Sequence, residues 1–406
     1  MAPTDNNWSR RDFLKAAGAA GVGSVMRPIE SLAESSDEPP VMPIRSFGKT
    51  GVKVPILALG GSMDMQQLIL RQAIKWGVTY WDTANSYYGG NSERQIGKYL
   101  GKHPEDRKKI FLVTKSHAWT ADGLTRDLNT SLERMKTDYV DLFFVHSVRN
   151  IDELNDDIKS WSQKTKAGGK IKFFGFSTHS NMEKCMRKAA TLGWIDGIMM
   201  SYNYRLMQTD HMKRAVDACA KAGIGLTAMK TQGGGSVKTT TETEVKLAGR
   251  FLKKGFTDAQ AKLKAVWENP NIATICSEMP NMTYLMANVA AANDRTKLSS
   301  QDLRLLRHYA QETGSGYCAG CTDLCESTIT SDVPIGDVMR YLMYCRSYGD
   351  RYRATMHFNE IPETIRREMA RLDYSLAEQK CPQKMAIGKL MREAMNEMTI
   401  GDSKTT

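Results

Sequence analysis

The stretch DTANSYYGGNSERQIG, residues 82–97, sets a carboxylate, Asp82, five residues before the phenol of Tyr87 and six before that of Tyr88. Asp82 falls near the end of the apolar run VTYWDT (78–83). Lys115 closes IFLVTK (110–115), and His146 closes YVDLFFVH (139–146). Taken singly, each polar residue is explained by a strand leaving the core for water. Taken together they are the members of a proton-transfer site. A phenol near pKa 10 is a weak acid at neutral pH, and an adjacent ammonium such as Lys115 favours its ionised form. A carboxylate beside the lysine keeps it charged despite burial, while an imidazole can hydrogen-bond and orient a substrate oxygen. Such a set could deliver a proton to a carbonyl oxygen. It holds no hydride, so reduction at the carbon would require a cofactor.

These side chains meet only if separate elements carry them to one place. Short apolar runs recur from residue 55: PILALG (55–60), VTYWDT, IFLVTK, YVDLFFVH, IKFFGFS (171–177), IDGIMMS (195–201), IGLTAMK (224–230) and IATIC (272–276). Amphipathic stretches separate them, at 65–76, 92–100, 121–136, 153–166, 182–192, 210–222, 256–267 and 281–292, with Ser92 and Asp210 as expected helix starts. Eight such units predict an α/β chain of the (β/α)8 TIM barrel type, with an open doubly wound sheet as the rival. RSFGKTGVKVPI (45–56) reads as an N-terminal hairpin plugging the barrel bottom. Beyond it lies a mostly helical C-terminal extension, with helices expected at 334–345 and 361–377. The expected divisions are 1–40 as signal and linker, 41–295 as barrel and 296–406 as extension. In a barrel, residues at the C-terminal strand ends share one face, where Asp82, Lys115 and His146 would converge.

The motifs DTANSY (82–87), Ser92-Glu93, VTK (113–115), LFFVH (142–146), GFSTHS (175–180) and Met229-Lys230 with the glycines 233–235 together resemble the aldo-keto reductase family over about residues 42–295. The resemblance implies a catalytic tetrad of Asp82, Tyr87, Lys115 and His146, with Tyr87 as general acid in reduction and general base in oxidation. Tyr88 is the competing phenol. It implies further that Ser177, Ser201, Tyr202, Asn203, Met229 and Lys230 bind a nicotinamide cofactor, NADP or NAD. Ser201 stands where glutamine is usual, and residues 275–291 contain no Lys or Arg but do contain Glu278, which leaves the choice of dinucleotide open.

Cys318, Cys321 and Cys325 are spaced C-x2-C-x3-C, and Cys381 follows in Cys-Pro. The spacing suggests thiolates around one metal centre, and the resemblance to larger relatives implies a [4Fe-4S] cluster. A structural zinc and disulfides are the alternatives, and Cys345 competes for the fourth position. Cys185, Cys219 and Cys276 are expected to pack.

SRRDFLK (9–15), followed by small residues, resembles a twin-arginine signal; the alternative is an N-terminal arm. The expected location is the periplasm, or the cytoplasm if the signal is not used. The formal charge of +11 resides in the middle of the chain as a diffuse field that could steer anions; no dense basic run or basic-aromatic alternation points to nucleic acid. No apolar run reaches membrane-spanning length.

The leading expectation is thus a carbonyl or alcohol oxidoreductase coupled to, or stabilised by, a cluster. The alternative is an iron-sulfur electron-transfer or sensing protein, with an electron-transfer protein as partner. Specificity is expected from loops 116–121, 147–156 and 231–242, with Trp119 and Arg205 as candidates at the mouth. Substrate identity and oligomeric state are not legible.

Overall fold

A computed structural model describes residues 41–235 and 240–399. Eight parallel strands form a closed barrel: β3 (Leu57–Gly60), β4 (Tyr80–Asp82), β5 (Phe111–Ser116), β6 (Val140–Val145), β7 (Ile171–Thr178), β8 (Gly197–Ser201), β9 (Gly225–Met229) and β10 (Thr274–Glu278), with β10 pairing both β3 and β9. The barrel, not the open sheet, is therefore the fold. Before it, β1 (Ile44–Ser46) and β2 (Lys53–Pro55) pair antiparallel as the expected hairpin.

Alternation with a period of two explains why the strands point their chemistry inward. In β4, β5 and β6, Tyr80, Phe111, Val113, Leu142 and Phe144 belong to the barrel's interior cluster, whereas Trp81, Leu112, Phe143 and Val145 belong to the layer between strands and helices. Continuing the inward parity by one position places Asp82, Lys115 and His146 above that apolar floor. The register agrees, with Asp82 opposite Val113 and Lys115 opposite Phe144. Below the floor, the fully buried ring of Phe47 meets Phe111 at 5.5 Å and Tyr80 at 6.4 Å, sealing the bottom. The hairpin is tied on by Lys49 N donating to the Gly223 carbonyl at 2.7 Å.

The helices follow the amphipathic stretches closely, and Asp210 opens its helix as expected, but the start at Ser92 differs. The helix Asn91–Leu100 opens from Gly90, and Ser92 Oγ bonds Thr83 Oγ1 at 2.7 Å instead of capping. The helix Asp210–Lys221 is capped by Thr209, whose side chain accepts from Met212 N. Helix Glu242–Leu252, closed at its start by a Thr241–Glu244 capping box, was not anticipated.

Beyond the barrel, the chain forms helices Ser300–Glu312, Thr322–Glu326, Ile335–Arg346, Arg351–Glu360, Glu363–Met369, Ser375–Lys380 and Ile387–Met398. The helix expected over 361–377 is broken into Glu363–Met369 and Ser375–Lys380, and between them the Asp373 carboxylate accepts from both Ser375 N and Ser375 Oγ in a local turn. Most of these helices enclose their own core, including Val338, Leu342, Phe358, Met369, Met391 and Met398. The segment is tied to the barrel's C-terminal face at several points. Arg353 donates to both oxygens of Glu278 at 2.9 and 3.1 Å and to the Ser62 carbonyl at 2.6 Å. Asn203 Nδ2 donates to Tyr317 Oη at 2.8 Å, and Asn181 exchanges hydrogen bonds with Asp323.

Candidate active site

The loop after β4 is fixed before any ligand arrives. Asn85 N donates to the Lys115 carbonyl, Arg134 donates to the Asn85 carbonyl at 2.9 Å, and Asn85 Nδ2 reaches the Asp127 carbonyl and Ser131 Oγ. The buried Glu93 accepts from Thr114 Oγ1, on the outward face of β5, and from Arg134. This bracing delivers Tyr87 to the barrel mouth. Its neighbour Tyr88 takes a left-handed backbone (φ 50) and turns outward, 46% exposed.

Lys115 Nζ is the hub. It donates to Asp82 Oδ2 at 2.7 Å, to the Thr83 carbonyl at 2.8 Å and to Tyr87 Oη at 3.4 Å. The ring of His146 meets that of Tyr87 edge-on at 5.5 Å. Four side chains from three successive strand ends and one loop thus converge around the phenol.

Burial sets the protonation states. It holds the Asp82 carboxyl above its usual range, opposed by the Lys115 charge. The Tyr87 phenol is likewise pushed up, by burial and then by Asp82. The structure corrects the expectation that Lys115 lowers this phenol: the ammonium is largely spent on Asp82, so the phenol keeps its proton. His146 is pushed down by burial, then by His117 and Lys115, and is a neutral imidazole. Its Nδ1 has no hydrogen-bond partner. Cys276 packs beside Asp82, its thiol pushed up by burial and by that carboxylate.

The residues expected to hold a nicotinamide occupy the remaining strand ends. Ser177 Oγ accepts from Ser147 N at 3.0 Å and retains its own proton to donate. Ser201 Oγ pairs with His179 Nδ1 at 2.9 Å, and Asn203 binds the Lys230 carbonyl and Tyr317. Tyr202 is buried with its hydroxyl accepting from Asn269 at 2.8 Å. Met229 ends β9, and Lys230 follows it with φ 56. After them, Gln232 has a buried acceptor, Oε1, without a partner among the described residues, and Gly233, Gly234 and Gly235 all take positive φ. An orphaned acceptor beside a side-chain-free turn fits a polar ligand lying along this edge.

A model of the aldo/keto reductase family matches residues 58–307, more than half of the chain. The chain belongs to the aldo/keto reductase family. It is 28% identical over 287 residues to aldo-keto reductase str7 of Strobilurus tenacellus, covering 62% of this chain and 83% of that protein. To the uncharacterized oxidoreductase YqkF of Bacillus subtilis it is 24% identical, covering 63% and 91%. Among solved structures, the thermostable aldo-keto reductase Tm1743 is 26% identical, with TM-score 0.55 and coverage of 66% of this chain and 99% of that one. The aldo-keto reductase from Klebsiella pneumoniae, solved with NADPH, has TM-score 0.56 at 22% identity, covering 66% and 95%. The protein is an aldo-keto reductase-like oxidoreductase.

The expected additions to that family do not hold. Among the described residues, the only group of three or more His, Cys, Asp or Glu side chains whose ligand atoms lie within 4.8 Å of one another is His103, Glu105 and Asp106. Cys318, Cys321, Cys325 and Cys381 line one small cavity with Ile335, Met339 and Ile387, but their sulfurs do not converge in that way. All eight cysteines are free thiols. Burial pushes those of Cys321 and Cys325 up to about 12. The family match also ends before these residues. The [4Fe-4S] cluster is withdrawn, and with it the iron-sulfur alternative and the support for an electron-transfer partner. The twin-arginine segment lies outside the described residues; the comparisons carry family membership and nothing of such a signal. Among the described residues, no helix is long and apolar enough to cross a membrane.

Several site neighbours escaped the sequence reading. His117 stacks on His146 at 4.2 Å, and His179 faces Ser201. Tyr344 covers Lys230, whose Nζ lies 4.4 Å from the ring centre. A signal was available for the last: Tyr341, Tyr344 and Tyr348 recur at helical spacing. Arg205, a candidate for meeting an anion, instead donates to the Gly233 and Ala310 carbonyls. Trp119 stands partly exposed beyond β5.

Proposed function

We propose that the chain interconverts a small carbonyl compound and its alcohol with a nicotinamide dinucleotide, NADP(H) or NAD(H), Tyr87 being the proton donor to the carbonyl oxygen. The observation carrying this reading is the buried hub of Lys115, 2.7 Å from Asp82 and 3.4 Å from Tyr87. Family membership supports the same chemistry. Bound along the edge from Ser177 to Met229, the dinucleotide would supply the hydride. Everything else falls to the protein. Tyr87 and the neutral His146 hydrogen-bond the carbonyl oxygen, fixing the carbonyl's orientation. As charge builds on that oxygen, the Tyr87 proton moves to it. Lys115, 3.4 Å away, stabilises the phenolate left behind, and Asp82 keeps the lysine charged through that step. Because the resting phenol is held above its ordinary value, it is fully protonated at neutral pH, the form that reduction uses.

Label transfer tests the reading. With dinucleotide deuterated at the nicotinamide C4 and an aldehyde panel, deuterium should appear at the carbinol carbon of the alcohol. Absence of labelled alcohol from every aldehyde, with both NADPH and NADH, would refute it.

A further inference from the structure

Most cations around the mouth are matched by carboxylates, while Arg205 is taken up by the Gly233 and Ala310 carbonyls. Lys115 meets Asp82, Arg353 meets Glu278 and Asp350, Arg340 meets Asp337, and Arg149 meets Asp337 and Glu326. Lys230 has no carboxylate within ion-pair reach among the described residues. It is only partly exposed, and its Nζ lies against the rings of Tyr344, at 4.4 Å, and Tyr348, at 5.9 Å. A half-desolvated ammonium against aromatic faces gains some cation–π energy, but far less than it would from an anion.

The backbone strengthens the case. Lys230 is a non-glycine residue in the left-handed region, held there by two hydrogen bonds to its carbonyl, from Gly233 N and from Asn203 Nδ2. Such strain persists where the surroundings over-determine it, and it recurs at ligand sites. Here it fixes the residue that follows β9. Tyr344 closes the pair from helix Ile335–Arg346, with the Arg353 guanidinium 5.5 Å from its ring. Despite complete burial, its phenol is pushed down by Lys230, Arg340 and Arg353. That spot is one where the surrounding charges favour a negative oxygen. The subsite lies on the same C-terminal face of the barrel as the tetrad, Lys230 directly following β9.

We propose that Lys230 and Tyr344 form a subsite for an oxyanion carried by the substrate, so that the preferred carbonyl compound bears a carboxylate. Lys230 supplies the charge and Tyr344 a hydroxyl donor. This rests on the carbonyl-reduction reading for its substrate, and on the extension, outside the family match, for half its geometry.

The test compares 4-carboxybenzaldehyde with benzaldehyde as substrates, and benzoate with benzamide as calorimetric probes, for wild type, Lys230→Met, Lys230→Arg and Tyr344→Phe. Wild type should favour the carboxylate substrate in kcat/KM by roughly tenfold or more, the scale of one charge-assisted hydrogen bond. The ratio should collapse towards one in Lys230→Met, be partly restored in Lys230→Arg and be reduced in Tyr344→Phe. Benzoate binding should weaken in parallel, with each variant's melting temperature as the folding control. A wild-type ratio near one, or a ratio and benzoate affinity unchanged in Lys230→Met, overturns the proposal. So does Lys230→Met weakening dinucleotide binding while sparing benzoate, because the oxyanion would then belong to the cofactor. Should no aldehyde react, the tetrad reading fails, while Lys230-dependent benzoate binding would still support the subsite.

Discussion

An ammonium in a site closed to water survives only beside compensating charge. Lys115, with a side chain 0% exposed, and Asp82, at 3%, are such a pair. Removing one member leaves the other stranded. Lys115→Met should therefore destabilise the fold by about 3–5 kcal/mol, lessened to the degree that Asp82 takes up a proton. The double variant Asp82→Asn, Lys115→Met should lose less than the two single variants summed; urea unfolding of all four proteins measures the coupling. The residue types and order of this pair were legible in the sequence, because each ends an inward-facing apolar strand. Its effect on Tyr87 was not. A sequence shows that an ammonium is near a phenol, but not that a carboxylate at 2.7 Å has already claimed it.

At the scale of elements, period-two alternation carries most of the account. The eight strands were readable as recurring apolar runs, and the alternation within them places Asp82, Lys115 and His146 on one face. Hairpin and barrel depend on a close contact at the other end: a methyl group at Gly225 would lie 2.5–2.6 Å from Phe47 ring carbons. Gly225→Ala should cost about 1–3 kcal/mol by overpacking. Adding Phe47→Leu should recover part of that loss, as chemical unfolding would show. Less was legible where caps and distant partners decide. Ser92 had the type of a helix cap but was claimed by Thr83 across the loop, and the 361–377 stretch is broken around Asp373. The four cysteines share a cavity, but the metal centre that their spacing suggested does not hold. Spacing along a chain could not show whether their sulfurs converge on an ion.

Across the whole molecule, the extension helices pack onto the catalytic face and contribute groups that the barrel lacks. Arg353 neutralises Glu278, the acid that had stood out in a stretch without Lys or Arg. A pairing 75 residues apart is invisible to local reading. Burial of neutral histidines has a global consequence too. His146 and His179 are both held below the ordinary histidine value by burial. A depressed folded value means that the unfolded chain binds protons first. Their contribution to stability is therefore intact above about pH 6.5 and is lost progressively as pH falls from there towards their folded values. Unfolding midpoints between pH 8 and pH 5 should decline accordingly, and a His146→Gln, His179→Gln double variant should flatten that decline. Asp302, held low by Lys254, Ser299 and Arg250 against its burial, adds stability that disappears only in stronger acid, below the ordinary carboxylate range.

The central claim is that the phenol facing Lys115 gives the proton. Dinucleotide-dependent aldehyde reduction by Tyr87→Phe and Tyr88→Phe, measured side by side, tests it most directly. The account predicts that Tyr87→Phe lowers kcat by about 10²–10⁴-fold, the usual worth of a positioned general acid, while the outward-turned Tyr88→Phe stays within a few-fold of wild type. Equal turnover by wild type and Tyr87→Phe, or a loss confined to Tyr88→Phe, would contradict it.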